Sequence, residues 1–149
     1  MRGYFEIGIF NPKKDCNYGT LMRSAYQLGA AGVFVIGARF KRQVSDTCNA
    51  SEHIPAREFA DFDSFFKQKP LGANLVAIES PEYGGRQLNG FYHPKQAIYL
   101  LGAEDSGLPI EIVKKCDFIV SIESIRQPSY NVAMAGTIVM YDRMIKNLK

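Results

Sequence analysis

The feature that most constrains this chain is an alternation of short, largely apolar runs with longer segments of helical spacing. Runs at residues 4–10, 32–36, 75–78, 97–101 and 117–122 carry apolar side chains at neighbouring positions, so both faces of each strand need cover. That is the condition of a parallel strand buried between helices. The alternation predicts an α/β fold with a mainly parallel sheet flanked by helices. Helices are predicted over residues 17–28, 61–69, 109–115 and 131–148. In the first, Leu21, Ala25 and Leu28 share a face and Gly29 supplies a stop. In the second, Asp61 or Asp63 is a candidate cap and Pro70 lies just beyond the end. The third opens on Pro109 and closes on two lysines, which suit a helix C-terminus. Phe5, Phe10, Phe34 and Phe118 lie in or beside strands and are predicted core.

Residues 39–60 and 80–94 lack periodicity and are predicted to be loops or short edge elements. A chain of 149 residues, 46% hydrophobic and 12% aromatic, fits one domain over residues 1–149 with a sizeable core, which excludes a disordered chain. A net charge of +3 excludes a dedicated nucleic-acid coat while permitting an anionic partner. Cys16, Cys48 and Cys116 have no close pairing and read as free thiols of a reducing compartment. His53 and His93 have no ligand-spaced neighbours, so no metal is expected. Glu6 interrupts any signal-peptide apolar region, and no apolar run reaches the roughly 18 residues a membrane span needs. A soluble, cytoplasmic protein without membrane association is the expectation.

Three loops at predicted strand ends are candidates for chemistry, since open α/β sheets bind ligands there. The first, Asn17-Tyr18-Gly19-Thr20-Leu21-Met22-Arg23, has Asn17 as a candidate N-cap, Gly19 for close approach, and Arg23 projecting from the second turn. A capped helix with a surface arginine explains the same residues. The second, Leu101-Gly102-Ala103-Glu104-Asp105-Ser106-Gly107-Leu108-Pro109, exposes backbone groups around a turn and adds a carboxylate. It departs from the dinucleotide fingerprint, because Glu104 stands where a glycine must admit a pyrophosphate, and it lacks the Walker lysine. A tight strand-to-helix turn would also use these glycines. In the third, Pro128-Ser129-Tyr130-Asn131-Val132-Ala133-Met134-Ala135-Gly136, Ser129 or Asn131 can cap the last helix, while Ala133, Ala135 and Gly136 permit close packing.

Together, Asn17-x-Gly19-x-x-x-Arg23, Gly102-x-Glu104-x-x-Gly107 and Ser129-x-Asn131-Val132, in this order and at strand ends, resemble the three signature motifs of the SpoU/TrmH branch of the SPOUT RNA methyltransferases. The resemblance covers nearly the whole chain. With no extra RNA-binding segment evident, it is similar to the minimal members, which methylate the ribose 2′-hydroxyl of a tRNA wobble nucleotide. It implies a C-terminal trefoil knot, which topology rules alone would exclude. It implies S-adenosylmethionine bound in the knot, with Leu101, Gly102, Glu104, Gly107, Ile122, Ser129, Asn131 and Val132 as cofactor-binding residues. Arg23, Asn17, Ser129 and Asn131 are the implied catalytic residues. It further implies a homodimer packed through the first and last helices, giving Ala133, Ala135 and Gly136 a purpose at the interface. Many members place Ile-Pro-Met before the third motif, where this chain has Ile122-Glu123-Ser124, and the usual glycine is missing from Ile125-Arg126-Gln127-Pro128.

Methyl transfer to a hydroxyl requires aligned oxygen, carbon and sulfur, together with removal of a proton. Arginine, with a pKa above about 12, is a poor base, so Arg23 is read as holding the adjacent phosphate and orienting the hydroxyl. Asn17 would position Arg23 or the ribose. Two alternatives stand beside this activity: a catalytically silent RNA-binding protein of the same fold, and a flavodoxin-like nucleotide binder, against which Glu104 argues.

Overall fold

The computed structural model describes residues 3–38 and 52–148. Cys48, read above as a free thiol, lies outside the described residues. A seven-stranded sheet has the order β3-β2-β1-β6-β4-β7-β5, every pair parallel. The strands are β1 (Tyr4–Phe10), β2 (Gly32–Ile36), β3 (Ala56–Phe59), β4 (Asn74–Ile78), β5 (Arg86–Gln87), β6 (Gln96–Leu101) and β7 (Phe118–Ser121). The helices are α1 (Asp15–Leu28), α2 (Phe62–Gln68), α3 (Ile110–Val113) and α4 (Val132–Asn147). The two strands without an apolar run, β3 and β5, are the sheet edges, as expected of the poorly periodic segments. An edge strand needs burial on fewer sides, so its sequence is free of the buried-strand pattern.

The period of two along each strand splits the core into two layers. Ile7, Ile9, Val33, Val35, Tyr99 and Leu101 point to the layer under α1 and α4. Phe34, Ile36, Leu75, Ile98 and Leu100 point to the layer with Phe62 and Phe65 of α2 and Ile112 of α3. Gly8 faces the Phe34 ring so closely that a Cβ would lie 2.3 Å from it. Asp61 caps α2 by accepting the Ser64 N–H at 2.8 Å. Pro109 stands one position before α3, at its N-cap. Phe118, predicted core, is 40% exposed because it opens β7, and it packs edge-on against Phe91.

The predicted interface role of Ala133, Ala135 and Gly136 is corrected here. All three face inward within one chain, and a Cβ on Gly136 would approach Leu21 Cδ1 to 2.5 Å. Their small size seats α4 on α1, β1 and β6. The outer side of α4 instead exposes Met134, Tyr141 and Ile145.

The far half of α4 is held by a buried polar network. Arg143, 3% exposed, donates to the carbonyls of Pro94 (2.7 Å) and Lys95 (2.9 Å) and to the Tyr99 hydroxyl (3.1 Å). Tyr99 lies 2.6 Å from His93 Nδ1, whose Nε2 lies 2.8 Å from Asp142 Oδ2. A consistent polarity has neutral His93 accepting from Tyr99 and donating to Asp142. Lys146 completes the cluster on Asp142 at 2.8 Å. Burial holds His93 below the ordinary histidine range despite the opposing pull of Asp142, and pushes the Tyr99 hydroxyl up to about 12.

Two outcomes are expected. Tyr99→Phe strands polar groups of Arg143 and His93 and should cost about 1–3 kcal/mol in urea unfolding. Because the folded pKa of His93 is lowered, the unfolded chain binds more protons below about pH 6.5. The stability contributed by neutral His93 is present above that pH and lost as pH falls, so the urea midpoint should drop on acidification. That part of the pH dependence should vanish in His93→Gln.

Candidate functional site

Beyond the carboxyl ends of β4, β6 and β7, three chain segments enclose a cavity of about 390 Å³, within the size range of small-molecule sites. Its walls include Ile78 to Tyr83, the loop Leu101 to Gly107, and Ile122 with the third-motif segment. The second loop doubles back tightly. A Cβ on Gly102 would lie 2.5 Å from the Gly107 carbonyl carbon, and Gly107 itself adopts φ +67°, where only glycine is unstrained. The Gly107 N–H closes the turn on the Ala103 carbonyl at 3.1 Å.

The first motif corrects one expectation. Helix α1 begins at Asp15, and Asn17 lies inside it, 6% exposed, rather than at its cap. Its side chain is used across the fold. Asn17 Nδ2 donates to Glu104 Oε1 at 2.9 Å, and Asn17 Oδ1 accepts from Asn131 Nδ2 at 3.0 Å. Asn131 Oδ1 then accepts the Met134 N–H at 3.1 Å, capping α4. The polarity of this chain is set by Glu104: an ionised carboxylate only accepts, so Asn17 must present its amide nitrogen there and its oxygen to Asn131. Asn131, not Ser129, is therefore the cap.

Glu104 also accepts the backbone N–H groups of Lys13 (3.1 Å) and Lys14 (3.3 Å), so a carboxylate from another loop serves the start of α1. Burial alone would raise the Glu104 carboxyl, but these hydrogen bonds outweigh it and hold the group below the usual range. Asp105 pairs with Lys13 Nζ at 2.8 Å.

Of the cofactor residues implied by the sequence, Leu101, Gly102, Glu104, Gly107, Ile122, Ser129 and Val132 line the cavity. Asn131 stands beside it as cap and partner of Asn17. Neither Asn17 nor Arg23 is in the wall; Arg23 is half-buried on α1.

Two contributors escaped the sequence reading, and a third, Glu123, was noted only as a departure from the usual motif. Glu79, at the end of β4, lines the cavity, accepts the Leu108 N–H, and lies 3.3 Å from the Ser80 nitrogen. Tyr83, a half-buried wall residue, donates its hydroxyl to the Leu108 carbonyl at 3.2 Å. Glu123 accepts the Asn89 N–H at 2.7 Å, while its carbonyl accepts from the Tyr130 hydroxyl at 2.5 Å. The carboxylate at this position thus ties the altered loop to the segment at Asn89, while the Tyr130 contact uses a backbone carbonyl that any residue here would offer. An acid one position past an apolar strand was the available signal for Glu79.

The sequence profile of the SpoU rRNA methylase family matches residues 4–141. This chain belongs to that family. A curated relative, an uncharacterized tRNA/rRNA methyltransferase of Archaeoglobus fulgidus, is 30% identical over 145 residues, which are 93% of this chain and 63% of that protein. The chain spans less than two thirds of the length of each curated relative it matches. Among solved structures, the SpoU methyltransferase AviRb from Streptomyces viridochromogenes in complex with the cofactor AdoMet superposes with a TM-score of 0.82 at 21% identity, covering 100% of this chain and 60% of that one. A structure described as giving insights into the 2-OH methylation of C/U34 on tRNA has a TM-score of 0.82 at 20% identity, covering 100% of this chain and 94% of that one. The α/β fold with a parallel sheet expected from the sequence is thus the SpoU fold observed. Among the described residues no helix is long and apolar enough to cross a membrane, and no group of three metal-ligating side chains occurs.

In this SpoU-family site, Asn17→Ala removes both links of the central chain at once. It should cost about 1–3 kcal/mol in chemical unfolding, whereas Ser129→Ala should cost less than about 0.5 kcal/mol.

Proposed function

We propose that this chain is an S-adenosylmethionine-dependent RNA methyltransferase acting on a ribose 2′-hydroxyl. The observation that carries this reading is Asn17, whose side chain joins Glu104 of the second motif to Asn131 of the third beside a nucleoside-sized cavity. Three motifs that are each commonplace alone meet at one place.

The cavity suits the cofactor chemically. Among the described residues its walls carry Glu79, Glu82, Glu104 and Asp105 and no Lys, Arg or His, which favours a cationic ligand and disfavours the phosphates of the nucleotide alternative. When bound, S-adenosylmethionine supplies an activated methyl group on a sulfonium centre. The residues of this chain would then do the rest. Backbone groups near Leu101, Gly102, Gly107, Ile122 and Val132 hold the adenosine. Glu104 and Asn131 keep the second and third loops in register through Asn17, and Ser129 presents its hydroxyl at the wall. Arg23 binds the phosphate next to the target ribose and orients its hydroxyl, while the proton leaves to that phosphate or to water. The knot implied by the family belongs to the same proposal: the segment from Ile122 to Val132, sharing the cavity with the loops after β4 and β6, is the one that would be threaded.

The proposed RNA is tRNA, with the wobble nucleotide as target. Its support is the 94% coverage of the solved protein described for methylation of C/U34. The proposed assembly is a homodimer, supported by Met134, Tyr141 and Ile145 on the outer side of α4 and Tyr26 on α1, all exposed in one chain. A second subunit would supply further basic groups around one RNA.

Arg23→Ala should abolish methyl incorporation into tRNA while leaving S-adenosylmethionine affinity within about twofold of wild type. Turnover near the wild-type rate would remove Arg23 from the mechanism. Mapping of 2′-O-methyl groups in RNA from cells with and without the protein identifies the target nucleotide.

A further inference from the structure

The carboxylates around the cavity differ in how their charge is used. Glu104 accepts from Lys13, Lys14 and Asn17, Asp105 is paired with Lys13, and Glu82, accepting from the Ser80 hydroxyl, is exposed to solvent that screens its charge. Glu79 is different. Its oxygens meet only neutral backbone N–H groups, of Leu108 and Ser80, and among the described residues it forms no ion pair with Lys, Arg or His. It lies beneath Gly107, where a Cβ would come within 2.7 Å of Glu79 Oε2, so no side chain screens it from above. The hydrogen bonds fix its position, and Tyr83 grips the carbonyl of the same residue, Leu108, from the neighbouring turn. The result is a half-buried, immobile negative charge in the cavity wall, with acceptor capacity left over: a carboxylate has about four lone-pair sites.

Burial penalises that charge and raises the Glu79 carboxyl above its ordinary range, the Leu108 N–H opposing. A positively charged ligand would offset the penalty; a neutral one of the same shape would not. In a partly water-excluded cavity one fixed charge acts on another over several ångströms with an effective dielectric near 20, enough for about a tenfold effect on affinity.

We propose that Glu79 is a specificity-determining residue that makes the cavity favour the positively charged cosubstrate, a sulfonium, over the neutral thioether left after methyl transfer. This rests on the cofactor reading above. It assigns to the β4 end, which belongs to none of the three motifs, the task of distinguishing loaded from spent cofactor and so of favouring product release.

The test is calorimetric titration of the full chain with S-adenosylmethionine, S-adenosylhomocysteine and sinefungin, whose amine carries a positive charge in place of the sulfonium. Glu79→Gln keeps a carbonyl oxygen for the Leu108 N–H and removes the charge. It should weaken S-adenosylmethionine and sinefungin by about tenfold and S-adenosylhomocysteine by less than about twofold. Tyr83→Phe loosens the same loop without altering charge and should weaken all ligands equally. Equal losses for all ligands in Glu79→Gln would reduce Glu79 to a loop support, and no change would remove it altogether; either overturns the proposal. Should Glu79→Gln not fold, the salt dependence of the wild type decides. The preference for S-adenosylmethionine over S-adenosylhomocysteine should shrink as ionic strength rises, and a constant ratio would overturn the proposal. Failure of the wild type to bind any of these ligands would instead refute the cofactor reading, and this inference with it.

Discussion

The site depends on one amide. Asn17 lies in the first turn of α1, and its side chain donates to Glu104 and accepts from Asn131, so three segments far apart in sequence share one hydrogen-bonded chain. The direction of that chain is dictated by the carboxylate at its end, because Glu104 has no proton to give. Everything downstream follows: the orientation of the Asn17 amide, that of Asn131, and the cap on α4. A buried asparagine with both ends used is costly to replace, since no apolar side chain of similar volume can satisfy its partners.

The last helix is held at both ends by polar contacts of different kinds. Near the cavity it starts on Asn131; at its far end Arg143, Asp142 and Lys146 bind the segment from Leu88 to Lys95. Between them the small residues Ala133, Ala135 and Gly136 let it lie close on α1 and the sheet. The helix is thereby fixed in rotation, and this puts Met134, Tyr141 and Ile145 outward as a row. A mild overall charge of +3 conceals a local asymmetry: among the described residues the cavity wall carries four carboxylates and no basic side chain, with Lys13 paired to one of them from outside the wall.

Much of this was legible in the chain itself. The five apolar runs each became a strand within a residue or two of the expected bounds, because a strand buried on both faces leaves a composition that loops do not imitate. The edges β3 and β5 left no such mark and were legible only as gaps. Asn17 was legible as important but with the wrong task, since a cap and a long-range bridge use the same residue type. Phe118 misled for a related reason: an aromatic at the first position of a strand says nothing of whether a neighbouring element covers it. Glu79 and Tyr83 stayed hidden, and Glu123 showed only as a departure from the usual motif, because their partners at Leu108 and Asn89 are backbone groups brought near only by folding.

By itself the sequence determined the fold class, the order of the main elements and two of the three segments that wall the cavity, since these rest on periodicity and on local chain chemistry. Only the tertiary structure decided what those residues do to one another. Whether Gly136 faces a second subunit or its own sheet, whether Asn17 caps or bridges, and whether Glu79 is exposed or held on the Leu108 N–H all depend on distances between segments that the chain order leaves open. The physical reason is common to all three. Hydrogen bonds and close packing act over a few ångströms, and proximity across the fold is set by the sheet order β3-β2-β1-β6-β4-β7-β5 and not by position along the chain.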